Sequence, residues 1–408
     1  MTLARRLLMG AGGSGAFALP MPSGPFVLTS APSGSWTQIP DPTAFYYNGK
    51  TYFGYVNGSN GNIEIRTYTH ATGIVSAATV LHAALEYPPD THDAPAIILR
   101  TSDRRIVAAY SAHNGNDLFV WISTNPEDIS AGTETNIDGA VGSGVYTYPN
   151  LVQLSGEAGA IYLFFRNFGG GVTAQWQYTK STNGGASWST EEEVYSVPGS
   201  ASYWKVTTDS VNRIDFAVSS DFPAVTSKVG HFYYDGTWHK SDGTTISASR
   251  PFTFTDVTQV YDSSGGPAWP TDVCLDGSNH PRIVYTIYLG GSDSSAKFTR
   301  WNGSAWVTST ILASTGADYP VACLDAAVLT QCHLSRIVGG SSELWRYTTA
   351  DSGATWSGIS LTPSATDDNL YPTSVKGGHP SDLAVLWLFG TYVPSPATNS
   401  LGIKGIGT

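Results

Sequence analysis

One eight-residue pattern occurs twice in this chain. Ser181-Thr182-Asn183-Gly184-Gly185-Ala186-Ser187-Trp188 and Thr349-Ala350-Asp351-Ser352-Gly353-Ala354-Thr355-Trp356 both read S/T-x-D/N-x-G-x-x-W. Such a segment is a hairpin turn with a mechanism. The Asn or Asp side chain bonds backbone N–H groups across the turn, the glycine supplies a positive φ, and the tryptophan anchors the turn to its sheet. Asn183 and Asp351 stand 168 residues apart, three units of 56. A strand-rich unit repeating at a period near fifty is the signature of a ring of four-stranded blades, a β-propeller.

The two hairpins resemble the Asp-box turns of sialidase-like propellers, and the rest of the chain divides at the same period. Short aromatic and β-branched runs separated by Asn-Gly, Asp-Gly and Gly-rich turns read as antiparallel meanders. The first runs from Ala44 through Tyr52–Val56 to Ile63–Tyr68, with turns at Asn48-Gly49 and Asn57-Gly58. Further meanders start near Ala94, Tyr146, Lys205, Asp272 and Val321, and a last pair comprises Tyr371–Val375 and Leu383–Phe389. The expected fold is all-β, a seven-bladed propeller, with six or eight blades as the neighbouring counts. The last blade lacks a strand, and Trp36-Thr37-Gln38-Ile39 is placed to complete it. The predicted organisation is an N-terminal arm over 1–34, the propeller over 35–392, and a C-terminal tail over 393–408.

Composition excludes several classes. Only 13% of residues are charged and the net charge is −11, so no general basic field exists for nucleic acid or an anionic membrane. No apolar run reaches the length of a membrane-spanning helix. Three cysteines cannot form a complete disulfide framework. Cys323, Cys332 and His333, with His280, are a candidate structural metal group. The alternative, small buried strand residues and no cofactor, is the reading adopted. The start Met1-Thr2-Leu3-Ala4-Arg5-Arg6-Leu7-Leu8-Met9-Gly10 resembles the docking ends of bacteriophage tail and fibre proteins. It also resembles a twin-arginine export signal, with Ala16-Phe17-Ala18 as cleavage site. The expected location is therefore extracellular, on a virion surface with neighbouring virion proteins as partners, or alternatively secreted.

Ligands of propellers bind where the loops of one face surround the channel mouth. Four features fall at strand ends there: Thr91-His92-Asp93-Ala94-Pro95, Ser111-Ala112-His113-Asn114, Tyr146-Thr147-Tyr148-Pro149, and Arg166-Asn167-Phe168. Together with Gly230-His231-Phe232-Tyr233-Tyr234 and Ala268-Trp269-Pro270-Thr271-Asp272, they resemble the propeller family that includes the ulvan lyases. Those enzymes act on uronic-acid-containing glycans. The resemblance spans about 44–392 and implies an acidic polysaccharide as partner and β-elimination as chemistry. It implies catalytic roles for His92, His113, Tyr148 and Arg166: imidazoles as base, acid or substrate contacts, the phenol as acid/base, and the guanidinium as neutraliser of the uronate. His231, Tyr233 and Tyr146 are the expected substrate-binding residues.

The chemistry accounts for the residue types. The proton beside a carboxylate is not acidic until that carboxylate is neutralised, which a planar guanidinium does well. A tuned histidine or tyrosine can then take the proton. Structural alternatives stand beside each assignment. A histidine at a strand end can cap or pack, Tyr148 can be an inner-strand aromatic, and Arg166 can pair with an acidic loop. Tyr146 competes with Tyr148, because a two-residue offset keeps the same strand face. A sialidase would need an arginine triad, and no arrangement here clearly supplies one. The leading expectation is a glycan-recognising virion propeller that binds, and can depolymerise, acidic surface polysaccharide; the alternatives are a secreted polysaccharide lyase of the ulvan-lyase type and a purely structural ring whose site residues fail to converge.

Overall fold

A computed structural model describes residues 24–142, 144–168, 174–221, 226–317, 321–392 and 400–407. Seven antiparallel sheets form the seven blades of a propeller. Their innermost strands are Ala44–Tyr47, Ala96–Leu99, Tyr146–Leu154, Trp204–Thr208, Ala268–Leu275, Ala322–Leu324 and Asp368–Ser374. Blades 1 and 4 each carry a fifth strand, Thr79–His82 and Thr258–Tyr261. Both predicted hairpins join the third and fourth strands of their blades, blades 3 and 6. Asn183 Oδ1 accepts from Ser187 N at 2.9 Å, and Asp351 Oδ1 accepts from Thr355 N at 2.9 Å. Gly185 and Gly353 take φ of 92° and 90°, as the turn requires.

The core lies between blades, so both faces of most strands are buried. Between blades 3 and 4, Trp176 stacks on Trp204 at 4.3 Å, and Phe164 and Phe216 meet edge to face at 5.3 Å. Offset and edge contacts of this kind suit aromatic quadrupoles. Aromatic and β-branched strands therefore stand radially, leaving only loops and strand ends for the two channel mouths.

Ring closure differs from the sequence expectation. Blade 7 consists of Asp368–Ser374, Val385–Thr391, Ser400–Ile406 and, outermost, Phe26–Thr29 from the other end of the chain. The closing strand thus lies inside the segment assigned to an arm, and Ser400–Ile406 inside the segment assigned to a tail. Trp36–Ile39 instead runs along the channel. Trp36 Nε1 donates to Tyr371 O at 2.9 Å, and Lys205 Nζ donates to Gln38 O at 2.6 Å. Asp41 bridges to Asn150, and Pro42 O accepts from Ile97 N. The physical reason is polar satisfaction: channel-facing backbone and the indole N–H need partners, and an extended segment threaded there supplies them. The proposed docking or export start, residues 1–23, lies outside the described residues.

Candidate active site

Three loop ends and one distorted strand build the site. Thr91–Asp93 is a single 3-10 turn ahead of the innermost strand of blade 2, capped by Asp90, whose carboxylate accepts from His92 N at 2.9 Å. The same carboxylate takes both imidazoles. Asp90 Oδ1 pairs with His92 Nδ1, and Asp90 Oδ2 lies 3.0 Å from His113 Nδ1. The two rings consequently stack, with centroids 4.1 Å apart and planes 18° apart. Asp90 was not singled out in the sequence. Its only local signal is its place two residues before His92, at the cap of a turn too short to recognise.

Tyr148 arrives by a bulge. The register of the blade 3 inner strand shifts between Thr147 and Asn150, and Tyr148 takes φ of 60°, a left-handed conformation uncommon for a side chain of its size. Asn150 Nδ2 holds its carbonyl at 2.9 Å. This distortion overturns the equal-face argument for Tyr146. Tyr146 packs with Phe165 and Leu118 toward blade 2, and its hydroxyl donates to Asp138 at 2.7 Å. Tyr148 packs with Trp176 and Trp204 on the blade 4 side. Its ring stands 5.5 Å from His92 and 6.2 Å from His113.

Arg166 ends the second strand of blade 3. Its guanidinium carbon lies 4.4 Å from the Tyr148 ring centroid, 4.6 Å from Phe168 and 5.3 Å from Tyr203. Arg166 is 3% exposed, yet its Nε and Nη1 have no hydrogen-bond partner among the described residues. Two unsatisfied N–H groups on one buried fork are costly unless a ligand completes them.

His92 and Tyr148 line a cleft of about 690 Å³ at the channel mouth, together with Tyr203, Trp269, Tyr371, Tyr392 and channel residues 37–39. His113 and Arg166 contact those two residues from behind. The wider cleft, about 1250 Å³, opens where the innermost strands end and is mostly apolar. Its Lys376 already sits 3.8 Å from Asp41 and 3.4 Å from Asp272. None of the four expected catalytic residues touches it.

Electrostatics sort the roles. Burial, reinforced by His113 and Arg166, holds His92 below its ordinary value against the pull of Asp90, which favours a neutral imidazole near neutral pH. With Nδ1–H given to Asp90, the assigned tautomer leaves the lone pair on Nε2. Burial opposes ionisation of Asp90, but its bonds to His113 and His92 outweigh it and keep the group a carboxylate. Burial, then Tyr203, pushes Tyr148 well above the ordinary phenol value, so it is a proton donor, not a phenolate. Behind them Asp93 Oδ1 accepts from His113 N at 2.7 Å. Burial, with Glu86 and Asp90 nearby, pushes that carboxyl up to about 9. One ligand atom each from Asp90, His92 and His113 lies within 4.8 Å of the others, close enough for a cation. A metal held at the two Nδ1 atoms would have to displace the protons they share with Asp90.

The remaining expected residues lie elsewhere. His231 is fully buried, held by Asp215 at 3.0 Å and Ser241 at 2.9 Å, with Trp306 Nε1 donating to the same serine at 3.1 Å. Tyr233 is covered by Arg213, whose guanidinium carbon sits 3.6 Å from the ring centroid. Neither lines the cleft, and Tyr146 does not either. Blade 4 buries both faces of its third strand, so a His-x-Tyr alternation there packs between sheets. Cys323 and His333 are register partners, while Cys332 pairs with Leu324. Neighbouring strand residues face opposite ways, so Cys332 packs toward blade 5 and Cys323 toward blade 7. His280 stands apart beside Asp276.

No family model matches the chain, and no curated protein matches it either. Among solved structures, an ulvan lyase representing a new polysaccharide lyase family superimposes with a TM-score of 0.75 at 15% identity, covering 94% of this chain and 95% of its own. The same enzyme bound to a fragment of glucuronic acid and sulfated rhamnose matches equally well. An α-L-arabinanase from Penicillium chrysogenum matches at a TM-score of 0.45 and 11% identity, covering 77% of this chain and 92% of its own. This seven-bladed chain is thus similar in fold, over nearly its whole length, to a polysaccharide lyase.

Proposed function

We propose that this protein is a polysaccharide lyase that cleaves acidic glycans at uronic acid residues by β-elimination. The observation that carries the reading is the buried Arg166 fork, two N–H groups unpartnered, packed on a protonated Tyr148 and next to a neutral His92. The rings of Tyr148, Phe168 and Tyr203 cover the fork, so a uronate carboxylate reaches it only when they move aside; paired there it loses its negative charge, which acidifies the neighbouring C–H. His92 Nε2 takes that proton, with Asp90 stabilising the imidazolium that forms. The electron pair enters the ring as a C=C bond while the C–O bond to the adjoining sugar breaks. Tyr148 donates its proton to the departing oxygen. The products are one sugar chain with a free hydroxyl and one ending in an unsaturated uronate. His113 holds the stack and shares Asp90. The fold similarity to an enzyme solved with a glucuronic acid ligand agrees with this class of substrate.

Purified protein mixed with ulvan or another glucuronic-acid polysaccharide should generate ultraviolet absorbance from the C=C bond conjugated to carboxylate. His92→Ala and Arg166→Ala should abolish it. Wild-type protein that binds no uronate glycan and yields no such product, or an Arg166→Ala variant of full activity, would falsify the proposal.

A further inference from the structure

The cleft has a second half, formed by blades 5 and 7 opposite His92 and Tyr148. There Tyr371 repeats the geometry of Tyr148. Each precedes a proline, each lies at a register shift of an innermost strand, and their φ values are 50° and 60°. Each carbonyl is held by a side-chain donor at 2.9 Å, Trp36 Nε1 for Tyr371 and Asn150 Nδ2 for Tyr148. Trp269 also precedes a proline at a register shift, in blade 5. Left-handed backbone at a bulky residue is strained and persists where surrounding structure imposes it, often at ligand sites. Here it brings Tyr371 into the cleft beside Tyr392, with hydroxyls 3.3 Å and ring centroids 5.9 Å apart.

Resting on the lyase reading, we infer that Trp269, Tyr371 and Tyr392 form a separate sugar subsite for the uncharged pyranose adjoining the uronate. Among the described residues no Lys or Arg lines this half of the cleft, whereas the Arg166 guanidinium stands against Tyr148 on the other half. Aromatic faces offer the C–H side of a sugar ring a large, weakly polar surface, and phenol hydroxyls exchange hydrogen bonds with its hydroxyls. This half binds and does not react, so its loss should appear in KM and leave kcat in place.

The test uses tetrasaccharides of alternating glucuronic acid and desulfated rhamnose, prepared from ulvan. Tyr392→Ala should raise KM about tenfold with kcat within about twofold, and Tyr392→Phe should restore most of the affinity. Trp269→Phe, which keeps a ring in the core, should raise KM less. If wild type cleaves these tetrasaccharides and Tyr392→Ala and Trp269→Phe both keep the wild-type KM, the subsite is overturned while the lyase reading stands. Loss of kcat with unchanged KM in the folded variants also overturns it. If wild type neither binds nor cleaves them or the parent polymer, both readings fall.

Discussion

The two halves of the cleft are made by one backbone device and furnished differently. On blades 2 and 3, a bulged tyrosine meets two imidazoles, a carboxylate and a guanidinium. On blades 5 and 7, a bulged tyrosine of the same local geometry lines the cleft together with a tryptophan and another tyrosine. The comparison separates positioning from chemistry. A positive φ before proline aims an aromatic ring at the channel mouth in either blade. What that ring can do depends on whether titratable neighbours are buried beside it.

The strongest way to break the contrast is to disarm the charged half. His92→Ala should lower turnover on a uronate glycan by about 10²–10⁴, the usual range for a general base. The acid limb of the wild-type profile belongs to His92. Since its folded value lies below 6.5, activity should persist below pH 6.5 and fall only when the imidazole takes a proton. Removing the guanidinium in Arg166→Ala should cost about 10²–10³ in kcat. Arg166→Lys should recover little, because a point charge does not reproduce the planar fork.

Asp90→Asn sharpens the comparison further. One amide oxygen cannot serve two Nδ1–H groups, so the stacked pair should loosen and turnover drop about tenfold. NMR of the imidazole C–H protons should show His92 changing its titration, with no effect of Tyr392→Ala.

A pH test of stability separates the halves without substrate. Asp93 is near 3.8 unfolded and about 9 folded. Between those values the unfolded chain releases a proton that the native state keeps, so this group's stabilisation is full below pH 3.8 and declines as pH rises toward 9. Asp93→Asn should therefore lower Tm at pH 5 more than at pH 8, or raise it at pH 8. Tyr392→Ala should give a Tm difference independent of pH over the same range. The smallest effect belongs to the hairpin turn at Asn183. Asn183→Ala removes the bond to Ser187 N at an exposed hairpin and should cost about 1 kcal/mol in thermal unfolding, with kinetics unchanged.

Much of the fold was legible because blades are local. Each meander carries its own turns and alternation, and Asn183 and Asp351 mark equivalent turns at a fixed period. The ring's closure was less legible. Phe26–Thr29 is four residues in a Pro, Gly and Ser context, and only its pairing with Ser400–Ile406, across almost the whole chain, makes it a strand. Within the site, His92, His113, Tyr148 and Arg166 were nameable since they fall at strand ends facing one mouth. His231 and Tyr233 stand away from the cleft because a strand buried on both faces has no solvent side for its polar residues, so Asp215, Ser241 and Arg213 satisfy them inside.

The sequence by itself determined the ring, its repeat length and the types of side chain near one opening, because turn chemistry and strand alternation act over a few residues. Tertiary structure alone decided which tyrosine of the Tyr146–Tyr148 pair enters the cleft, that Asp90 joins two histidines, and that residues 36–43 thread the channel. Each of those depends on a bulge or on partners from distant blades, and a register shift of one residue changes a face without leaving a mark in local composition.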